Sequence, residues 1–204
     1  MPQVSTDRFT VVEQATDLFW KKGYAETSVE DIVQATGLNR YAIYNRFGGK
    51  REMLLEALEG FVNQRRTAFM AQFQDDSMRP LQAIRQIFTG FIEEILQTGN
   101  GCLMCNTVSE IAPKDPDIAE VCRGYQEQFV AMLMPVLKQA QSAGEIRPEL
   151  ESRAVANTLL IFKIGLATMA KAGAPQEQLV NALDLQIAAL GYPEEIRSTC
   201  SEEN

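Results

Sequence analysis

The sequence predicts an all-α protein, in which a three-helix helix-turn-helix domain precedes a larger helical domain, with about nine helices in total. Apolar residues recur at every third or fourth position through most of the 204 residues, which is the spacing of amphipathic helices. No stretch shows the alternation of apolar and polar residues that indicates a strand. Within residues 27–50, two short segments with capping residues flank a glycine, and this arrangement predicts the helix-turn-helix.

The first predicted helix covers residues 5–22. Apolar residues at helical spacing predict the face that packs in the core of the small domain. These residues are Phe9, Val12, Ala15 and Phe19. Gly23 follows them and ends the helix, because glycine adopts the backbone conformations that close a helix.

The second and third helices form the predicted helix-turn-helix. Ser28 is suited to cap the second helix, since its hydroxyl can accept a hydrogen bond from a free backbone N–H group of the first turn. Gly37 ends that helix and allows the left-handed turn that follows. Asn39 can cap the third helix, over residues 40–46, in the same way.

The third helix presents an outward face that could enter the major groove of DNA. This face is formed by Arg40, Tyr41, Tyr44 and Asn45, and Asn39 at its start belongs to the same set of DNA-contact candidates. Arg40, Tyr41 and Asn45 are the candidates for contact with base edges, since arginine favours guanine. Tyr44 has an alternative interpretation, in which its ring packs against the following helix.

The distribution of charge favours nucleic-acid contact at this end of the chain. The whole sequence carries a formal net charge of −8, yet no acidic residue and four basic residues lie between Ile32 and Arg51. Lys50 is placed at the predicted start of the fourth helix, where free backbone N–H groups already favour phosphate. The alternative is a solvated turn between two core helices, which the run of charge alone does not exclude.

The later helices predict a larger domain. We expect residues 1–50 to form the DNA-binding domain, 51–193 the ligand-binding and dimerisation domain, and 194–204 a flexible polar tail. The fourth helix should run from residue 50 to about residue 74. Pro135 should kink the helix that begins at Asp115. The last two helices are apolar on more faces than their own domain needs, which favours a partner subunit.

Three cysteines lie close together in the sequence of this domain. Cys102 and Cys105 form a C-x-x-C, and Cys122 follows. A zinc site would need a fourth soft ligand or a histidine, and a thioredoxin-like site would need βαβ surroundings. Two interpretations remain. The cysteines are small buried core residues, or Cys102 is a sensor whose pKa is lowered by a helix start.

Several classes of function are excluded by what the sequence lacks. It contains no histidine, and histidine is the commonest general base and metal ligand. Phosphate loops of the Walker or Rossmann type are absent as well. We therefore expect neither an enzyme, with no catalytic residue to name, nor a cofactor or metal site. No uninterrupted apolar run reaches the ~18 residues of a membrane span. The first residues lack an apolar signal core, which predicts a cytoplasmic protein without a membrane partner.

Residues 8–55 resemble the N-terminal domain of the TetR family of transcriptional regulators. The positions that carry the resemblance, in the family's order and spacing, are Ala15, Phe19, Gly23, Tyr24, Thr27, Ser28, Ile32, Gly37, Tyr44, Phe47 and Lys50. The sequence departs from the family pattern at Tyr41, where many members have a small residue, and at Ala42, which replaces a common serine or threonine. Both departures lie in the third helix and bear on the operator sequence, not on the fold.

The resemblance implies a repressor that binds a palindromic operator in double-stranded DNA as a homodimer. It assigns Lys50, Tyr44 and the region of Thr27 and Ser28 to contact with the DNA backbone. It also implies that the last two helices pair with their copies across a two-fold axis. A small-molecule or electrophile effector in the C-terminal domain would release the DNA. Some members with a similar Gly-Cys-Leu at Cys102 respond to electrophiles or oxidants.

A ligand site in the larger domain is predicted from residues on different helices. The candidates are the aromatic residues Phe61, Phe88, Tyr125 and Phe162, the charged residues Arg65 and Glu110, and Cys102 with Cys105 at the edge. A largely apolar cavity with a few polar groups is typical of small-molecule sites. The alternative is that these aromatic residues are ordinary core residues. For the whole chain, the second hypothesis is a helical ligand-binding or redox protein that no longer binds DNA.

Overall fold

The computed structural model describes residues 7–72 and 78–191. Within these ranges the chain forms nine α-helices, one short 3-10 helix and no strand, which confirms the predicted all-α class. The α-helices are α1 Arg8–Lys22, α2 Val29–Thr36, α3 Arg40–Phe47, α4 Lys50–Gln72, α5 Pro80–Thr98, α6 Leu103–Glu110, α7 Pro116–Ser142, α8 Ser152–Lys171 and α9 Gln176–Ala188. The predicted tail over residues 194–204 lies outside the described residues.

The first three helices begin at side-chain caps. The Asp7 carboxylate accepts a backbone N–H of the first turn of α1 at 3.2 Å. Ser28 and Asp31 form a reciprocal capping box at the start of α2. Asn39 accepts the backbone N–H of Ala42 at 2.8 Å and so caps α3. The caps predicted at Ser28 and Asn39 are confirmed, and each satisfies a backbone donor that has no partner inside its helix.

The chain divides into two compact units, and each unit combines two segments that are separated in the sequence. The first unit holds the described residues through Thr67 together with Cys102–Tyr125, and the second holds Ala68–Gly101 and the described residues from Gln126 onwards. The sequence predicts that Cys102–Tyr125 belong to the ligand-binding domain, whereas in the structure they pack with the helix-turn-helix region. The predicted boundary at residue 50, between the DNA-binding and ligand-binding domains, stays a prediction.

In the first unit, α1 packs against α2, α2 against α3, and α6 against α1. Val11, Ala15 and Phe19 form the buried row of α1. Phe9 is predicted to face inward, and this prediction is wrong, since its side chain is 68% exposed. The reason is geometric. Residues four apart share a helix face, and the row that ends at Phe19 passes through Val11 and not through Phe9.

The short helix α6 is the element to which the sequence assigns no bounds. Its buried residues are Leu103, Met104 and Thr107, and eight residues are too few for the apolar period to identify a helix with certainty. A 3-10 helix over Ala112–Lys114 follows and leads into α7. This segment, which packs in the first unit, carries Cys105 and Glu110, and Cys102 directly precedes it.

In the second unit, α5 packs against both α8 and α9. The core contains fully buried side chains from several helices, among them Ile84, Phe88, Leu133, Leu159 and Leu183. Helix α7 continues through Pro135, and the kink expected there stays a prediction.

Among the described helices, α8 alone is long and apolar enough to cross a membrane. Only 33% of its apolar window is buried in the structure. The buried side includes Leu159, Lys163 and Leu166, and the core helices of many soluble proteins have this length and composition. The apolar residues on its other side need a different explanation.

Candidate nucleic-acid interface

The helix-turn-helix consists of α2, a turn over residues 37–39 and α3. Gly37 adopts the left-handed conformation with φ of 70°, and its N–H donates to the carbonyl of Val33 at 2.9 Å. Leu38 anchors the turn in the core with 6% of its surface exposed. Ile43 and Phe47 bury the inner face of α3, so the orientation of this helix is fixed by packing and by its cap.

The opposite face of α3 is exposed. Tyr41 is 76% and Tyr44 is 52% exposed, and Arg40 and Asn45 are exposed beside them. The Tyr44 ring also lies against Gly49, where a Cβ atom would be 3.2 Å from the ring. Tyr44 thus packs on the turn that precedes α4 while keeping half of its surface free. The four outward residues predicted from the sequence do share one exposed face.

Arg40 forms an ion pair with Glu30 in the first turn of α2. Both side chains are exposed, at 61% and 59%, and an ion pair in solvent contributes little to stability. The pair places the guanidinium beside the start of α2. Glu30 is not among the DNA-contact candidates predicted from the sequence. Its residue type indicates only an acidic residue suited to a helix start.

Three predicted DNA contacts use their side chains within the protein. Thr27 is fully buried, and its hydroxyl donates to the carbonyl of Gly23 at 2.5 Å. The Thr27 side chain therefore orders the loop before α2, and contact between the region of Thr27 and DNA stays a prediction. The Ser28 hydroxyl donates to Asp31 at 2.7 Å, and the amide of Asn39 caps α3.

The start of α2 is tied to the end of α1 by a charged pair. The Lys22 ammonium donates to the Asp31 carboxylate at 2.6 Å. This ammonium, together with the Ser28 hydroxyl and N–H, holds the pKa of Asp31 well below its ordinary value. Asp31 is therefore ionised at neutral pH, and it stabilises both the cap of α2 and the packing of α1 beside it.

Lys50, the first residue of α4, lies close to the loop between α1 and α2. Its ammonium is 4.2 Å from the centre of the Tyr24 ring and 3.5 Å from the carbonyl oxygen of Ala25. Partial burial lowers the pKa of Lys50 from its ordinary value. The neighbouring Arg51 binds Asp115 and Asp117 instead, so its charge is compensated inside the first unit.

The predicted ligand-site residues fall into both units. In the first, the rings of Phe61 and Tyr125 are 6.4 Å apart, and the Arg65 guanidinium lies 4.7 Å from the Phe61 ring. In the second, the rings of Phe88 and Phe162 are 6.0 Å apart. Each pair is brought together by packing within its own unit.

The structure gives Glu110 a partner in the helix-turn-helix region. Its carboxylate accepts backbone N–H groups of Tyr24 and Ala25. This position differs from the predicted one, in which Glu110 orients a ligand. The sequence contains no local signal of the contact, since the partners are separated by 86 and 85 positions.

The cysteines differ in their exposure. Cys102 and Cys122 are each 3% exposed, whereas Cys105 is only partly buried. Burial raises the pKa of Cys122 to about 11, with the nearby Cys102 adding to the shift and Arg123 opposing it. Cys122 is therefore a neutral thiol at physiological pH, and thiols in this form are poor nucleophiles.

Lys163 is a buried charge that the sequence does not reveal as a site residue. It is 8% exposed, and its ammonium lies 4.3 Å from the ring centre of Phe91 and 5.3 Å from that of Phe129. The available signal is its position, four residues after Leu159 and three before Leu166 on the buried stripe of α8. An ammonium over aromatic faces is a favourable arrangement.

Comparison with known proteins assigns both parts of the chain. Residues 11–57 match the family model of bacterial regulatory proteins of the tetR family, and residues 77–184 match the model of the tetracyclin repressor-like C-terminal domain. The transcriptional repressor ComR of Escherichia coli (strain K12) is 27% identical over 176 residues, which are 85% of this chain and 84% of ComR.

Solved structures have the same fold. A TetR regulatory protein from Rhodobacter sphaeroides superposes with a TM-score of 0.81 at 20% identity, over 90% of this chain and 97% of that one. The regulator CifR, solved with a 26-base-pair operator DNA, superposes with a TM-score of 0.80 at 18% identity, over 95% of this chain and 100% of CifR.

The second family model alone spans more than half of the 204 residues. The resemblance inferred from residues 8–55 is confirmed, while the comparison between Gly-Cys-Leu and thiol-responsive members stays a prediction. The relatives are transcriptional regulators, which confirms that the chain is not an enzyme. The chain therefore belongs to the TetR family of bacterial regulatory proteins and is a DNA-binding transcriptional regulator.

Proposed function

We propose that the protein is a repressor that binds a palindromic operator as a homodimer, with α3 in the major groove. The observation that carries this proposal is the outer face of α3, where Tyr41 and Tyr44 are exposed beside Arg40 and Asn45. Such a row of large side chains contributes little to the fold and suits a contact surface. The repressor function named for ComR and the operator complex of CifR support the proposal.

Within this interface we assign two kinds of contact. Arg40, Tyr41 and Asn45 would contact base edges, and Arg40 suits the O6 and N7 acceptors of guanine. To do so it leaves Glu30, which costs little because the pair is exposed. Tyr44 and Lys50 would contact the DNA backbone, with Lys50 beside the free N–H groups at the start of α4. These contacts position the protein without reading sequence.

The homodimer would form through the last two helices. Helix α8 exposes Ile161, Ile164 and Met169, at 70%, 36% and 44%, and Leu185 of α9 is 73% exposed. The two helices pack against each other, so their exposed apolar residues belong to neighbouring elements. A subunit interface explains these residues, and two recognition helices about 34 Å apart would then read two half-sites one turn apart.

We infer that an effector in the C-terminal region controls release of the DNA. In the second unit, the Phe88 ring lies 6.4 Å from Phe129 and 6.0 Å from Phe162, and Lys163 lies over Phe129 at 5.3 Å. Aromatic side chains with one charged group are typical of the lining of a small-molecule site. Phe61, Arg65 and Tyr125 of the first unit are the alternative lining.

The proposed DNA binding also supports a cytoplasmic location for the protein.

The experiment that tests this function is the selection of bound sequences from a pool of randomised DNA duplexes. The wild-type protein should enrich a palindrome with half-site centres about 10 base pairs apart, and two protomers should bind each duplex. The matched control is Arg40→Ala, which should enrich the pool less and lose preference at the positions that Arg40 reads. A wild-type selection without any enriched sequence would contradict the proposed function.

A further inference from the structure

The loop between α1 and α2, residues 23–28, is held by a carboxylate from outside the helix-turn-helix. Glu110 is the last residue of α6, and its Oε2 accepts the backbone N–H of Tyr24 at 3.0 Å. Its Oε1 accepts the N–H of Ala25 at 2.6 Å. Both oxygens of one carboxylate thus bind successive amides of the α1–α2 loop, and hydrogen bonds of this charged kind are stronger than neutral ones.

Gly23 permits this close approach. Its φ of 84° lies in the region that favours glycine, and a Cβ atom there would be 3.2 Å from Oε2 of Glu110. A side chain at residue 23 would strain the backbone and push the carboxylate away. The residue that ends α1 is therefore matched to the residue that ends α6.

The position of Glu110 at the end of α6 gives no reason for a carboxylate at this residue. Negative side chains are unfavourable at a helix C-terminus, because the macrodipole already places negative partial charge there. The N–H dipoles of Tyr24 and Ala25 compensate for this cost. The role of Glu110 therefore lies in the α1–α2 loop that it binds.

The α1–α2 loop also binds the cation that we assign to the DNA backbone. Lys50 contacts the carbonyl oxygen of Ala25 at 3.5 Å and the ring of Tyr24 at 4.2 Å. Through the buried Thr27, the same loop leads directly into the N-terminus of α2. The position of Lys50 relative to α2 thus depends on the loop, and the loop depends on Glu110.

We propose that Glu110 is a positioning residue for DNA binding, which acts through the α1–α2 loop to place Lys50 and the N-terminus of α2 against the DNA backbone. Glu110 does not itself touch DNA. A residue from the C-terminal family match thereby completes the surface formed by the N-terminal one. This inference rests on the proposed function of the α3 face.

Two explanations of Glu110 predict opposite changes in DNA affinity when its carboxylate is removed. If the carboxylate acted only by repelling phosphate, its removal would strengthen DNA binding, since a negative charge near phosphate is unfavourable. If it positions the loop, its removal weakens binding although the protein becomes less negative. Glu110→Ala removes the charge and both acceptors, whereas Glu110→Gln removes the charge and keeps one acceptor oxygen. The matched control is Glu120→Gln, at an exposed carboxylate of α7 in the same unit.

The test measures the affinity of full-length variants for the operator selected by the wild-type protein, across a range of salt and well below each melting temperature. We expect Glu110→Ala to bind about tenfold more weakly, Glu110→Gln to lie between it and the wild type, and Glu120→Gln to match the wild type. The slope of log affinity against log salt should be smaller in magnitude by about one for Glu110→Ala, as expected for the loss of one phosphate contact. Glu110→Ala combined with Lys50→Ala should lose less affinity than the sum of the two single losses, because part of the effect of Glu110 passes through Lys50.

Wild-type or tighter binding by the Glu110 variants would overturn the proposal, and so would additive losses in the double variant. If Glu110→Ala does not fold, the glutamine variant decides by the same criteria. Hydrogen exchange at the amides of Tyr24 and Ala25, measured without DNA, should be faster in Glu110→Ala than in the wild type. A wild-type protein that selects no operator would overturn the proposed function and the positioning role with it, while amide exchange would still report whether Glu110 holds the loop.

Discussion

The Arg51 guanidinium binds the Asp115 carboxylate through two parallel hydrogen bonds, from Nε at 2.7 Å and from Nη2 at 2.8 Å. Nη2 also donates to Asp117 at 2.6 Å. The planar guanidinium matches a carboxylate in this geometry, which a lysine ammonium cannot reproduce. The contact joins the start of α4 to the start of α7 within the first unit. Arg51 is therefore a structural cation, although it ends the basic run of the sequence.

Arg51→Ala should lower the melting temperature and leave DNA affinity within about twofold of the wild type, since its charge is already compensated. Arg51→Lys should recover only part of the stability, because it loses the two-point contact. Lys50→Ala, one residue away, is the matched comparison. It should weaken DNA binding and leave the melting temperature close to that of the wild type. Thermal melts and DNA titrations of the three variants would check this. A larger loss of DNA affinity from Arg51→Ala than from Lys50→Ala would contradict the assignment.

The stability of the protein should fall on acidification in a way that depends on two carboxylates. Arg51 holds the pKa of Asp115 below its ordinary value, and Lys22 does the same for Asp31. In the window below about pH 4, the unfolded chain binds protons that these folded-state carboxylates do not. Their stabilisation is thus complete above that window and is lost as the pH falls through the lowered pKa values.

Melting temperatures measured between about pH 6 and pH 2 would show this fall. Asp115→Asn and Asp31→Asn should each be less stable than the wild type at neutral pH, and each should show a smaller acid-induced drop. A wild-type melting temperature that does not change over this range would contradict the effect of both pairs.

The described cysteines should react with alkylating agents in the order of their exposure. Cys105, which is only partly buried, should be labelled first. Cys122 should be protected, since its thiol is buried and its pKa is raised to about 11. Labelling by iodoacetamide near neutral pH, followed by mass spectrometry, would measure both rates, with the urea-unfolded protein as control. Equal rates for Cys105 and Cys122 in the folded protein would be inconsistent with the structure.

If the exposed apolar surface of α8 and α9 is the subunit interface, a charge placed in it should convert the proposed dimer to monomers. Ile161→Glu and Leu185→Glu are the informative changes, because both residues are at least 70% exposed and a buried unpaired carboxylate at an interface is costly. Met70→Glu is the matched control, since Met70 is 55% exposed on α4. Sedimentation velocity should show monomers for the first two and dimers for Met70→Glu. Dimers for all three would exclude this face.

Features set by local sequence could be predicted, and those set by distant packing could not. Ser28, Gly37 and Asn39 act on backbone groups within their own turns, so their residue types alone predict caps and a turn. The contact of Glu110 with Tyr24 spans 86 positions, and that of Arg51 with Asp115 spans 64. No local pattern specifies which carboxylate meets which donor across such distances.

The error at Phe9 and the unexpected burial of Thr27 and Lys163 have the same origin. Phe9 fits an apolar period that begins one row away from the true one, and only the packing of α1 against α2 decides between the rows. Thr27 carries a hydroxyl that could reach DNA, but the turn after Gly23 buries it. Lys163 lies on a buried stripe whose period is visible in the sequence, although its charge argues for exposure.

The outer face of α3 should read DNA sequence. The affinities of the wild-type protein and Arg40→Ala for the selected operator and for a shuffled duplex, measured across a range of salt, test this. We predict that the wild type prefers the operator by at least about a thousandfold, with both affinities falling steeply as salt rises. Arg40→Ala should lose about 1–3 kcal/mol on the operator and much less on the shuffled duplex. Equal affinity of the wild type for the two duplexes at every salt concentration would show that α3 does not read sequence.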